Sequence, residues 1–303
     1  MLRRLDAEQV DAVRRLVQGV VTADGVNPLS DHVMLHLPRG GDADVRHLLT
    51  RSVAGDLTGY AHLDVTDPVA GSSAELAVAP EARRRGVGRA LIEELLRQAP
   101  DGRLRLWAHG EHPGATALAL GLGFASTRTL WQMRRSLDVT LPPVALPAGV
   151  TLRTFEPGRD EAEWTQVNNL AFAGHPDQSG WGLEEVLLRE KEQWFDPAGF
   201  FLAHRDGRLV GFHWTKVHGG ATSGPDDPHD HEPVGEVYIV GLLPSEQGRG
   251  LGPALTLTGL HALQQRGLAE AMLYVDETNP HAIRVYERLG FRRYATDICY
   301  ARG

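Results

Sequence analysis

The chain has 303 residues, 42% of them apolar and 23% charged, a globular composition rather than a disordered or fibrous one. At about 150 residues per domain this length implies two domains, each able to bury its own core. With a net charge of −8 no general nucleic-acid affinity is expected, the single cysteine excludes an intrachain disulfide, and no apolar run approaches the ~18 residues that span a bilayer.

In chain order, the pattern predicts a short strand over 1–5, a helix from Asp6 to about Ala23 and a helical stretch over 31–37. Strands follow near 44–52, 56–65 and 73–79. A glycine turn then opens a helix over 86–98, followed by a strand at 103–109, a short helix over 114–121 and a strand over 126–136. The segment "DVTLPPVALPAG", 138–149, carries three prolines and no helical period, so it reads as a stiff, extended connection. Beyond it the order repeats. "VTLRTF" is a strand, helices cover Asp160 to Phe172 and 182–195, and two strands meet at Asp206-Gly207, a hairpin signal. "EVYIVGLL" is a strand, a second glycine turn opens a helix over 251–266, and strand "AMLYVDE", helix "HAIRVYERLGF" and strand "RYATDICYA" close the chain.

Two landmarks fix the repeat. Gly250 lies 164 positions after Gly86, and Gly290 lies 167 after Gly123, each of the latter pair just past a helix where a left-handed cap favours glycine. The chain is therefore a tandem duplication of the α/β class, each copy an α+β arrangement around a mixed sheet. The expected bounds are 1–140, a proline-rich linker at 141–149, and 150–303.

The turns themselves point to a ligand. A glycine-rich turn between strand and helix presents bare N–H groups at the positive end of the helix dipole, which binds phosphate or pyrophosphate. A Walker loop needs Gly-Lys-Ser/Thr, which neither copy has. A dinucleotide fold needs its glycines after the first strand, whereas these lie after several. What remains is Gln247-x-x-Gly250-x-Gly252 and Arg83-x-x-Gly86-x-Gly88.

That turn, with the later block Asn279…Tyr286…Leu289-Gly290-Phe291, resembles the GCN5-related N-acetyltransferases, abbreviated GNAT, and the resemblance covers both halves. It implies two tandem GNAT domains and acetyl-CoA as co-substrate, with no metal. In the second half it assigns the cofactor to the strand Val240, Gly241 and Leu242, and to the turn Gln247, Gly248, Arg249, Gly250, Leu251, Gly252 and Pro253. It adds Asn279, Pro280, His281, Ala282, Ile283 and Arg284. In the first half the matching positions are Leu76, Ala77, Val78, Arg84, Arg85, Gly86, Val87, Gly88 and Arg89. Arginines at 83–85 beside such a turn suit the CoA phosphates rather than nucleic acid.

Acetyl transfer to an amine needs a base for the ammonium proton and an acid for the departing sulfur. Glu236, at the start of the strand before the turn, and Tyr286, four residues before Gly290, are the candidates. The matching places in the first half are Ser72 and Ala119, so the second half is expected to be catalytic and the first at most to bind CoA. "GFHWTKVH", "GEVYIVG" and "LYVDETN" further resemble tandem members of the family that acetylate the cysteinyl amine of Cys-GlcN-inositol. That closer resemblance implies Asp31, Asp177, Lys216, Glu236 and Tyr274 as substrate contacts; carboxylates and a lysine suit a hydroxyl-rich substrate with one ammonium group. The alternatives are another primary amine, such as an aminoglycoside or a protein N-terminus, and a CoA-binding regulator without turnover. His229, Asp230 and His231 lie in a long acidic loop, 219–235, and neighbouring histidines in a loop with no paired cysteines do not make a zinc site. "MLRRLDAEQV" lacks an apolar signal core, so a cytoplasmic monomer is expected, with no membrane or nucleic-acid partner.

Overall fold

A computed structural model describes residues 2–30, 33–34, 37, 45–66, 71–100, 102–174, 180–192, 194–218 and 233–302. Asp31, Asp177 and most of the acidic loop, with His229, Asp230 and His231, lie outside the described residues, as does most of the helical stretch expected over 31–37.

The contacts divide the chain into two units. The first takes residues 1–131 together with 276–278 and 295–303; the second takes 132–275 and 279–294. This is not the contiguous division that the repeat suggests. The proline-rich connection sits with the second unit, tied to it by side chains. His261 meets the Pro142 carbonyl, and the Gln264 amide donates to the carbonyls of Leu137 and Val139.

In the first unit, α1 (Ala7–Asp24) begins at a reciprocal cap: Asp6 accepts from the Gln9 amide while the Gln9 side chain accepts from that of Asp6. The strands are β1 (Val45–Arg51), β2 (Leu57–Asp64), β3 (Ser72–Val78), β4 (Leu104–His109) and parts of β5 (Ala125–Ser136) and β11 (Arg292–Arg302). Their order is β1-β2-β3-β4-β11-β5. The strand expected over 1–5 is reduced to one bridge between Leu2 and His47. Alternation divides the core between the two faces of the sheet. Tyr60 and Ala77 pack with Val13, Val17 and Val20 of α1. Ala61 and Ala74 pack with Leu91, Ile92 and Leu95 of α2 (Val87–Gln98) and with Ala119 of α3 (Pro113–Gly121).

The second unit repeats the plan with β6 (Val150–Thr154), β7 (Phe200–Arg205), β8 (Arg208–His218), β9 (Val234–Leu242) and β10 (Glu270–Asp276). Their order is β6-β7-β8-β9-β10, with the end of β5 beside β10. Asp206 and Gly207 join β7 to β8 with φ of 50° and 75°, as a primed hairpin turn demands. On one face, α4 (Glu161–Ala171) and α5 (Leu183–Arg189) cover an aromatic core in which Trp214 stacks on Phe200 at 4.4 Å and Trp164 meets both edge-on. The helix expected over 182–195 ends at Arg189. On the other face, α6 (Leu251–Gln265) packs Leu251 and Leu255 against Ala203 and Val210. The last helix, α7 (Pro280–Arg288), is capped by Asn279, which accepts from the Ala282 amide at 3.1 Å.

Candidate active site

The two glycine turns follow one plan. In the second unit β9 and β10 run parallel only where Val234, Gly235 and Glu236 face Glu270, Ala271 and Met272. Past Glu236 no described strand pairs with β9 on that side. In the first unit β3 and β4 pair only from Ser72 to Ala74, and Glu75 to Val78 are left open in the same way. Such an edge offers N–H and C=O groups to an extended ligand. A single 3₁₀ turn follows each strand (Pro80–Ala82 and Pro244–Glu246), and Gly86 and Gly250, with φ of 86° and 83°, then start α2 and α6. Neither helix has a side-chain cap, so no side chain competes for the first-turn amides, which suits an anion. Gly248 takes φ of 75°, and Arg84, its counterpart 164 residues earlier, takes φ of 60°. A left-handed arginine costs about 1 kcal/mol, and such strain concentrates at ligand sites.

The first turn borders a cavity of about 510 Å³ whose walls include Leu76, Ala77, Val78, Gly86, Gly88, His109 and Tyr300. That volume is in the range of small-ligand sites. Arg83 lines the same cavity but is engaged within the protein. Its guanidinium makes a bidentate pair with Asp24 of α1 at 2.8 and 2.6 Å, and its Nε reaches the Val78 carbonyl at 3.4 Å. Ser72 and Ala119 are buried, and neither side chain can act as acid or base at neutral pH. Sequence reasoning missed a buried cluster nearby. His109 lies between Asp297 of β11, at 3.0 Å from Nδ1, and Glu75 of β3, at 3.4 Å from Nε2. Burial opposes the charge on His109, but the two carboxylates outweigh it and raise its pKa to about 10. Nothing local in the sequence ties residue 297 to residue 109.

The groups suited to chemistry stand in the second unit. Glu236 is buried on β9 directly opposite Lys216 of β8. Its Oε2 lies 2.7 Å from Nε2 of His218. One position on, Trp214 faces Ile239 while Thr215 faces Val237, so Tyr238 is the extra residue of a β-bulge, a device that re-aims side chains beside functional sites. The Lys216 ammonium lies over the rings of Trp194 and Tyr238, at 4.9 and 5.5 Å. Arg189 covers the Trp181 ring at 3.9 Å and donates from Nε to the Tyr238 hydroxyl at 3.2 Å. Two cations on aromatic faces therefore flank the bulge beside a buried carboxylate. Tyr286 of α7 packs edge-on against Phe291, and burial pushes its phenol up to about 12. The Tyr274 hydroxyl of β10 receives a hydrogen bond from the Gln132 side chain at 2.8 Å. Ile283 and Leu251 are buried, so any contact they make with a cofactor is through backbone. His218 was legible in principle: it follows Lys216 by two on a strand, and so shares its face. Among the described residues no group of His, Cys, Asp or Glu is arranged to hold a metal, and no helix is long and apolar enough to cross a membrane.

Two family models match the chain: the acetyltransferase (GNAT) family over residues 164–291 and an acetyltransferase (GNAT) domain over 46–125. Each spans one of the glycine turns. A mycothiol acetyltransferase from Streptosporangium roseum is 51% identical, covering 99% of this chain and 97% of its own length. The chain belongs to the mycothiol acetyltransferase family. Another member, from Acidothermus cellulolyticus, is 54% identical over 99% of this chain and 93% of its own. Among solved structures, a GCN5-related N-acetyltransferase from Sphaerobacter thermophilus superposes with a TM-score of 0.79 at 25% identity, covering 99% of this chain and 94% of that one. A tandem GNAT protein from the clavulanic acid biosynthesis pathway, at 19% identity and a TM-score of 0.75, shares the fold over 99% and 96% of the two chains. The protein is thus an N-acetyltransferase of two tandem GNAT domains, and acetyl-CoA is its acyl donor. Membership accounts for the duplicated turns, since each copy keeps the open strand edge and uncapped helix start of an acetyltransferase.

Proposed function

We propose that this chain transfers the acetyl group of acetyl-CoA to the cysteinyl amine of Cys-GlcN-inositol, giving mycothiol, and that the second unit performs the chemistry. The observation that carries the reading is the buried Glu236 carboxylate on β9, beside the bulge and the open strand edge, in the unit that also holds Tyr286. Val240 to Leu242 would pair with the pantetheine arm. The amides at the start of α6, with Arg249, would hold the pyrophosphate, and the residues at the start of α7 would border the cofactor. Glu236 takes one proton from the cysteinyl ammonium, and the freed nitrogen attacks the thioester carbonyl. The C–N bond forms, the C–S bond breaks, and Tyr286 donates to the departing sulfur. The second nitrogen proton balances the thiol of free CoA. Lys216, Tyr274, Asp31 and Asp177 are read as contacts to the sugar and inositol hydroxyls. The first unit binds a second CoA through Leu76 to Val78, Arg84, Arg85 and Gly86 to Arg89 without turning it over, because Ser72 and Ala119 stand where Glu236 and Tyr286 would be.

The test is turnover read by mass spectrometry, with acetyl-CoA, Cys-GlcN-inositol and a panel of other primary amines. A kcat/KM for the pseudodisaccharide well above that for every other amine is expected. Equal or better acetylation of an aminoglycoside or peptide would overturn the substrate, and tight CoA binding with no product would overturn the enzyme. Glu236→Gln should lower kcat by about 10²–10⁴. The net charge of −8 and lone cysteine further support a cytoplasmic monomer without nucleic-acid partners, which light scattering and a nucleic-acid shift assay would check.

A further inference from the structure

Glu236 is buried, and a buried carboxylate is held in one orientation only if something satisfies it. Its register partner on β8 is Lys216, the expected counter-ion, yet the Lys216 ammonium is drawn over the rings of Trp194 and Tyr238. The group that meets the carboxylate is His218, two residues farther along the same face of β8, with Nε2 at 2.7 Å from Oε2. Arg189 is engaged at the Tyr238 hydroxyl and the Trp181 face instead.

We infer that His218 is a positioning residue for Glu236: its Nε2–H donates to Oε2, fixes the carboxyl rotation and leaves Oε1 to face the substrate ammonium. A carboxylate offers about four lone-pair sites, so one donor on Oε2 does not block acceptance at Oε1. The choice of residue follows from the task. A lysine or arginine in permanent contact would hold the carboxylate as an ion pair and oppose its taking a proton. An imidazole N–H fixes the orientation from a short, rigid ring on the same face of β8. The division of labour on β8 is then between Lys216, held on the aromatic side, and His218, held on the base.

This inference rests on Glu236 being the base, and the test separates the two. His218→Ala, His218→Gln, Glu236→Gln and the double variant Glu236→Gln/His218→Ala are compared in steady state with acetyl-CoA and Cys-GlcN-inositol. His218→Ala should lower kcat by about 10²-fold, the loss typical of a misplaced catalytic group, with the KM for acetyl-CoA and the thermal midpoint unchanged. His218→Gln keeps an N–H donor and should recover most of the rate. In the Glu236→Gln background His218→Ala should cost nothing more, because its effect runs through the carboxylate. If His218→Ala keeps the wild-type kcat while Glu236→Gln is inactive, the positioning role is wrong and the base stands. If Glu236→Gln keeps the wild-type rate while His218→Ala is inactive, His218 is itself the base and both statements fail. Equal, additive losses in the double variant would also overturn the inference.

Discussion

Burial pushes the Tyr286 phenol up to about 12, well above a thiol near 8.5. The phenol is then the weaker acid of the pair. In the proposed reaction its service to the departing sulfur would be a hydrogen bond that strengthens as charge builds, not a proton released in advance. A hydrogen bond to a developing charge contributes about 1.5–3 kcal/mol, so Tyr286→Phe should lower kcat by roughly 10- to 100-fold and leave the KM for acetyl-CoA alone. The same environment keeps Tyr286 protonated from pH 7 to 10, so it should add no alkaline limb in that range. A fall in wild-type kcat over pH 8–10 that vanishes in Tyr286→Phe would show the phenol ionising there and sink this account. Glu236 and Tyr286 were legible because each sits at a fixed distance from a glycine landmark. The strand spacing puts His218 on the face of Lys216 but does not say which carboxylate it meets, and the contacts of Arg189 and Trp194 left no local mark, because they depend on which ring or hydroxyl lies across the sheet.

The repeated element is strand, turn and helix, and its glycines answer to two different constraints. Gly250 begins α6 at φ 83°, and a side chain there would meet nothing within 4 Å. What forbids one is backbone conformation, at about 1–2 kcal/mol. Gly259, in the middle of the same helix, has ordinary backbone but no room, for a Cβ would stand 2.0 Å from the ring of His213. Burial lowers the pKa of that imidazole to about 4, and its Nδ1 meets the Leu255 carbonyl at 2.7 Å, so it is a neutral core residue. The two substitutions should therefore separate binding from packing. If the turn holds the phosphates as proposed, Gly250→Ala should raise the KM for acetyl-CoA, because its Cβ would stand where the phosphate approaches. Gly259→Ala should lower the thermal midpoint through overpacking of about 1–3 kcal/mol and leave that KM unchanged. The reverse pattern would mean the turn is only a helix start. The turn was legible from its spacing. The reason for Gly259 was not, since a glycine inside a helical pattern names no neighbour. Nor was the bulge at Tyr238, which alternation alone does not reveal.

At the scale of the whole chain, the duplication in sequence is not the division in space. The first unit is closed by residues 295–303: β11 pairs antiparallel with β4 from Asp297–His109 to Arg302–Leu104, and Tyr300 both lines the cavity and meets Thr116 at 2.8 Å. "RYATDICYA" reads as a strand, but pairing across nearly two hundred residues leaves no local mark, and so this was the largest feature hidden from the sequence. The Asp297–His109–Glu75 cluster fastens that strand, and its electrostatics carry a sign. The folded His109 titrates near 10, above the 6.5 of an unfolded histidine, so its stabilisation is complete below pH 6.5 and is lost as pH rises through 10. The melting midpoint of the first unit should fall from pH 7 to pH 9.5, and by less in Asp297→Asn; equal slopes would remove the cluster from the account. A stronger test uses the chain's own boundaries. A fragment of residues 1–140 contains every first-half residue expected to touch CoA, yet it lacks the strand beside β4, Asp297 and Tyr300. It should bind no acetyl-CoA by calorimetry. The same fragment with residues 292–303 appended through a flexible linker should recover binding, because β4 regains its neighbour and the cavity its wall. Binding by the bare fragment would show that the first glycine turn and its open strand edge suffice, and that the borrowed strand is dispensable to the site.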